Sequence, residues 1–187
     1  INDANNSHDD LEFIVDYGTK KPFTDFSTMV ETKGCRKNSI IRDMDLIKNL
    51  NHQNNGKMYE HMVLPITPDL KHTPDSDYME IGRRISDHYI GHQCVYALHK
   101  DSGYRHLHFV FNSVNYMNGK KFSQGPKELN AMKTYCNHVL EQYDLDAILH
   151  NLLPVQTDKK NVFSNGTSFL EIGNSDKPID RNIMLDD

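Results

Sequence analysis

Tryptophan is absent from this 187-residue chain, cysteine is scarce, and no long apolar run occurs anywhere in it. Each lack excludes something. Without about 18 consecutive apolar residues nothing reads as a transmembrane helix, and no basic-then-apolar leader of the secretory kind heads the chain. The expectation is a cytoplasmic protein with no membrane partner. Cys35, Cys94 and Cys136 are odd in number and far apart, which argues against a disulfide framework or a Cys-x-x-Cys zinc site and for reduced thiols. Ile1 in place of Met predicts a piece excised from something longer. Hydrophobic residues make up only 37%, yet at this length they suffice for one domain with a substantial core and not for two.

Basic residues are also missing where they would matter least to a phosphate-binding surface. Residues 1–16 hold five acids and no Lys or Arg, and residues 144–187 hold eight acids against four bases. The ends therefore carry −9 of a formal −5, which leaves residues 17–143 at +4. A mildly basic middle permits a nucleic-acid partner without demanding one.

What is present is histidine, eleven in all, and the spacing of three of them. In His106-Leu107-His108-Phe109-Val110-Phe111-Asn112, strand alternation puts His106, His108, Val110 and Asn112 on one face and Leu107, Phe109 and Phe111 on the other. Gln93 to His99 reads as the preceding strand, with Gln93, Val95, Ala97 and His99 sharing a face. A hairpin through 100–105 then brings His99 beside His106. Three neutral imidazoles hold a divalent ion without cancelling its charge and leave positions open, as catalytic metal sites require. Asp101 is placed to fix a ring tautomer, and Asn112 to hydrogen-bond a substrate or a ligand. A histidine-triad nucleotide hydrolase would need a further His at 110, where Val110 stands.

Around this motif the pattern predicts a helix over Asp10–Tyr17 ending at Gly18, a basic loop over 18–37, a helix over Ser39–Leu50, and a strand over Lys57–Thr67 closed by Pro68. Pro74 opens a helix with Tyr78, Ile81, Ile85 and Tyr89 as its apolar stripe. The strand from His106 runs on to Asn118-Gly119, a hairpin signal in which both positions want positive φ, with Lys120–Phe122 returning antiparallel. Pro126 opens the last long helix. The expected class is α+β, a central antiparallel sheet with helices packed on one face. The domain spans 1–153, with 154–187 a polar extension, extended or wrapping.

Taken in order, Glu60-His61-Met62-Val63-Leu64-Pro65-Ile66-Thr67-Pro68, Ala97-Leu98-His99-Lys100-Asp101, the His106–Asn115 stretch and Asn118-Gly119-Lys120-Lys121-Phe122 resemble the relaxases, the mobilisation nucleases of conjugative plasmids and integrative elements. These belong to the superfamily named for a His-hydrophobic-His motif. The resemblance implies one divalent ion (Mn, Mg or another) on His99, His106 and His108, and strand-specific nicking at a transfer origin by transesterification. A 5′-phosphotyrosyl link and a free 3′ hydroxyl would result. Tyr17, at the end of the first helix, matches the family's nucleophile, with Asp16 and Asp101 as candidate activators. Some relatives use His, so His8, His52 and His61 stay open; His61 is alternatively a group supporting the ligands. Single-stranded origin DNA is the implied partner, with accessory relaxosome and coupling proteins. Its contacts are expected at Lys20, Lys21, Arg36, Lys37, Arg105, Lys120 and Lys121, with Tyr104 and Tyr116 stacking on bases. Two rivals stand beside this: a rolling-circle replication initiator with Tyr135 as nucleophile, and a DNA-binding module that keeps the fold without cutting.

Overall fold

Three strands of this chain are buried along nearly their whole length, so both faces of the sheet need cover. The structure, a computed structural model, describes residues 8–20, 24–67, 72–100 and 104–146, with the backbone of a short strand at 167–169. The elements run α1 (His8–Thr19), β1 (Val30–Lys33), α2 (Ile40–Leu50), β2 (Tyr59–Pro65), α3 (Asp75–Asp87), β3 (Cys94–His99), β4 (His106–Asn112), α4 (Pro126–Glu141) and β5 (Thr167–Phe169). The sheet order is β1-β3-β4-β2-β5. The first four strands pair antiparallel, and β5 adds to β2 in parallel.

The α+β class and antiparallel core are as the sequence implies, but the helices divide between the two faces. Alternate residues Met62, Leu64, Ile66, Tyr96, Leu98, Leu107, Phe109 and Phe111 pack with Tyr78, Ile81 and Ile85 of α3 and Met132, Cys136 and Leu140 of α4. The intervening Tyr59, Val95, Ala97 and Val110 pack with Leu11, Ile14 and Val15 of α1 and with Ile40 and Met44 of α2. The reason is legible in β2 and β3, whose residues are buried without alternation. A sheet wetted on one side would show polar residues at every second position. Among the described residues no helix is long and apolar enough to cross a membrane.

Two local expectations need correction. The loop expected over 18–37 contains β1, an edge strand of sequence Val-Glu-Thr-Lys in which only Val30 is buried. Four mostly polar residues carry no periodicity to detect, and charge on an edge strand discourages pairing with other chains. Lys33 earns its place by donating to the carbonyls of Ser86 and Tyr89 at the end of α3, where a cation suits the helix dipole. The long hairpin after β4 shrinks to one bridge, Val114 with Lys121. Its turn has positive φ at Gly119 alone (68°), while Asn118 accepts the Lys120 N–H through its side chain at 2.9 Å.

Helix α3 lies unusually close to β3 at Gly82, where a Cβ would come within 2.6 Å of the Tyr96 ring. Alanine would add about 1 kcal/mol of helix propensity, whereas overpacking against a buried ring costs about 1–3 kcal/mol. Gly82→Ala is therefore expected to lower the melting temperature by several degrees, read by circular dichroism. An unchanged or raised Tm would show that Tyr96 yields freely.

Candidate active site

The antiparallel register sets His99 directly opposite His106 and Ala97 opposite His108. His99 and His108 are buried, and His106 is partly exposed where β4 begins. The three rings converge. Their centroids lie 4.2 Å (His99–His108), 5.1 Å (His106–His108) and 5.2 Å (His99–His106) apart, and one ring nitrogen from each falls within 4.8 Å of the others. Imidazole nitrogens bind a divalent ion at about 2.0–2.1 Å, so small ring rotations close the set around one ion.

Hydrogen bonds on the far side of the rings favour that use. The Gly18 carbonyl accepts from His99 Nε2 at 2.7 Å. A carbonyl can only accept, so the neutral ring carries its lone pair on Nδ1. His108 Nδ1 lies 2.9 Å from His61 Nε2, and if it donates there, His108 Nε2 becomes the ligating atom. His106 Nδ1 has a long contact, 3.5 Å, to the Tyr104 carbonyl. Fixing one nitrogen so that the other faces a metal is how ligating imidazoles are commonly oriented. The donor set fits a divalent cation.

His61 is the histidine the sequence could not place. It shares the face of His108 because β2 pairs with β4, Val63 lying opposite His108. The two rings stack at 5.1 Å with 20° between planes. His61 is 3% exposed, and burial, with His99 nearby, pushes its pKa down to about 4. It is neutral at physiological pH. Its Nδ1 is buried with no hydrogen-bond partner among the described residues, a cost the fold accepts to keep an imidazole there.

Tyr17 joins this group from α1. Its ring centroid is 5.6 Å from that of His108 and 6.3 Å from that of His99, and the residue is 40% exposed. The next residue is Gly18, whose carbonyl, at the helix end where such groups lack intrahelical partners, is the one held by His99. One hydrogen bond thus orients a candidate ligand and anchors the helix turn bearing Tyr17. No side-chain pattern could have revealed a backbone acceptor. Tyr135 lies on α4 against the opposite face, with its ring 4.8 Å from His88 and its hydroxyl donating to the Arg84 carbonyl at 3.2 Å.

Other expected residues are scattered. Asp101 and Lys21 lie outside the described residues, as does the side chain of His8. Asn112 is wholly buried, and its amide donates to Met44 O and Gln93 Oε1 while its oxygen accepts from Val114 N–H. It ties the sheet to α2, with its side-chain amide engaged by the protein itself. Arg36 clasps Asp43 through its backbone N–H, Nε and a terminal nitrogen, which holds the Asp43 carboxyl well below the usual range.

Arg36 and Lys37 follow β1, whose Lys33 pairs with Cys94, so they sit at the end of β3 remote from His99. Five strand steps at ~3.3 Å put roughly 17 Å between those ends. Lys120, Lys121 and Tyr116 cluster at the same remote end, beyond Asn112. Arg105 lies over the Tyr78 ring at 4.9 Å and 3.7 Å from Asp75. Lys20 is near the site and pairs with Asp16 at 2.7 Å. Tyr104, 5.9 Å from His106, remains at the rim. His52 stands beyond α2 in the left-handed region (φ 54°).

An antiparallel sheet carrying His-Leu-His opposite a third His, with a tyrosine ring beside them, gathers a group that could hold one metal ion. The comparison with known families agrees: residues 17–145 match the family described as Relaxase, MobA/VirD2-like, nuclease domain. The chain belongs to this relaxase family. Two curated relatives, both the group II intron-interrupted relaxase LtrB (one from Lactococcus lactis subsp. cremoris strain MG1363, one from Lactococcus lactis subsp. cremoris), are 35% identical over 72 residues, which is 37% of this chain. The aligned part spans only 13% of those relatives' length. No solved structure matches the chain.

If His61 orients His108, His61→Ala should weaken Mn(II) binding by about 10–100-fold, whereas His61→Gln, whose amide oxygen can accept the same hydrogen bond, should recover part of it. Isothermal titration of the purified domain reads both. Equal affinity in all three proteins would assign His61 to packing alone. The Asp43 clasp makes a separate prediction about stability. A depressed carboxyl pKa stabilises above the unfolded value near 3.8 and is lost as pH falls below it. Asp43→Asn should therefore lower Tm at neutral pH, with the gap to the unmodified protein closing in acid.

Proposed function

We propose that this domain nicks one DNA strand at a transfer origin by transesterification, with Tyr17 as nucleophile and His99, His106 and His108 as the ligands of one divalent cation. The observation that carries the reading is the half-exposed Tyr17 ring set against His108 and His99. A cation held by His99, His106 and His108 would supply Lewis acidity toward the scissile phosphate. Tyr17 Oη attacks phosphorus, the P–O3′ bond breaks, and the departing 3′ oxygen takes up a proton as the phenol gives one up. One phosphodiester replaces another, so no water is consumed and the strand can be resealed.

The protein's own residues supply position. The Gly18–His99 hydrogen bond fixes the end of α1, while Leu11, Ile14 and Val15 pin the helix to the sheet. The nucleophile is thereby presented on a rigid element, where orientation is worth the most. Lys20 is the nearby cation for a flanking phosphate once released from Asp16. The substrate is single-stranded or extruded origin DNA, and accessory relaxosome and coupling proteins are the further partners proposed. The tyrosine on α4 does not serve, since its hydroxyl is engaged on the other face.

Incubation with single-stranded oligonucleotides tiling the transfer origin of the encoding element, with Mn(II) or Mg(II), should give a protein–DNA adduct visible by mass spectrometry. Tyr17→Phe should abolish the adduct and Tyr135→Phe should leave it intact. An adduct surviving in Tyr17→Phe would move the nucleophile elsewhere. A protein that binds these oligonucleotides but never forms an adduct would be a binding module.

A further inference from the structure

Helix α1 turns Leu11, Ile14 and Val15 into the core and leaves Asp9, Glu12, Phe13 and Tyr17 exposed on its outer side. Three of the polar-side positions, Asp9, Glu12 and the partly exposed Asp16, are acidic. Among them Phe13 is out of place: it is 69% exposed, although a large apolar side chain gains by burial. It stands four residues before Tyr17, the spacing that stacks side chains on one helix face. The two rings lie 6.4 Å apart with 29° between planes. From Phe13 the rings run on without a break through Tyr17, His108 and His106 to Tyr104, each 5.1–6.4 Å from the next.

We infer that Phe13 is a stacking platform for the unpaired base next to the scissile phosphate, an inference that rests on the nicking role assigned to Tyr17. The charge pattern says which part of DNA this surface takes. Phosphates are repelled by the carboxylates of Asp9 and Glu12, whereas the π-face of a base needs only an aromatic partner and no charge. A strand lying along α1 therefore turns its bases toward Phe13 and its backbone toward the imidazoles. Stacking also explains why a single-stranded substrate suits the site, since a paired base has its faces covered. Phe13 acts on the reaction by holding the neighbouring nucleotide, which makes it a positioning residue.

Because the chain has no tryptophan, Phe13→Trp creates a reporter at this position alone. Titrated in EDTA, where no cleavage occurs, with a pool of single-stranded oligonucleotides tiling the origin, its emission should be quenched saturably, and less by the same sequences as duplex. By fluorescence anisotropy Phe13→Ala should bind the labelled pool about tenfold more weakly, as loss of one base–aromatic stack predicts. Phe13→Tyr should restore binding and Phe13→Leu should not, with melting temperatures unchanged throughout. In nicking assays Phe13→Ala should raise KM for the oligonucleotide more than it lowers kcat. Equal binding by Phe13→Ala, full rescue by Phe13→Leu, or no quenching by single strands overturns the platform. An adduct at Tyr17 with Phe13 indifferent defeats this inference alone. Quenching at position 13 without any adduct defeats the nicking role and leaves a base-binding surface.

Discussion

The register of β3 against β4 is the constraint on which the site depends. With His99 opposite His106, the alternation of both strands delivers three imidazoles to one face and Leu98, Leu107 and Phe109 to the other. A slip of one residue would turn the histidines into the α3–α4 core and the aliphatic residues toward α1 and α2. Burying Leu107, Phe109 and Phe111 therefore does more than stabilise the domain. Each apolar residue locked against α3 and α4 holds a histidine on the reverse side in place, so core packing and site geometry are one constraint read from two faces.

The second face brings Tyr17 to the imidazoles by an economical route. Helix α1 is anchored by three apolar side chains and, at its end, by the Gly18 carbonyl on His99. The same contact selects the His99 tautomer that presents Nδ1. The position of Tyr17 and the ring orientation of His99 are thereby coupled, and a change to either should be felt by the other. His61 reaches His108 from β2, its Nε2 2.9 Å from His108 Nδ1. The backbone carbonyls and the fourth histidine are as much a part of the site as the three rings.

Much of this was legible in the residues. The His-Leu-His spacing, the alternation in Gln93–His99 and the short connection between them sufficed to bring three rings together, because strand periodicity is local. Tyr17 followed from the family resemblance, not from spacing. What escaped was non-local or lacked a side-chain signal. β1 is four residues, three of them polar, whose pairing with β3 only the tertiary structure decides. The second helical layer was missed although β2 and β3 carry the unbroken burial that calls for it. Asn112 shares the histidines' face, as alternation says, but lies four residues along β4 from His108, where α2 and Gln93 use its amide. The basic residues divide between the two ends of the sheet, because charge along a sequence does not say to which end it will go: Lys20 and Arg105 stay at the imidazole end. Arg36 and Lys121 went to the end away from the imidazoles.

X-ray absorption spectroscopy of the domain loaded with one equivalent of Co(II) tests the central claim most directly, since it counts imidazole ligands without requiring a substrate. Three histidine nitrogens in the first coordination sphere, lost when His99, His106 and His108 are replaced together, is the predicted result. A sphere made of oxygen alone, or one unchanged by that replacement, would contradict the account.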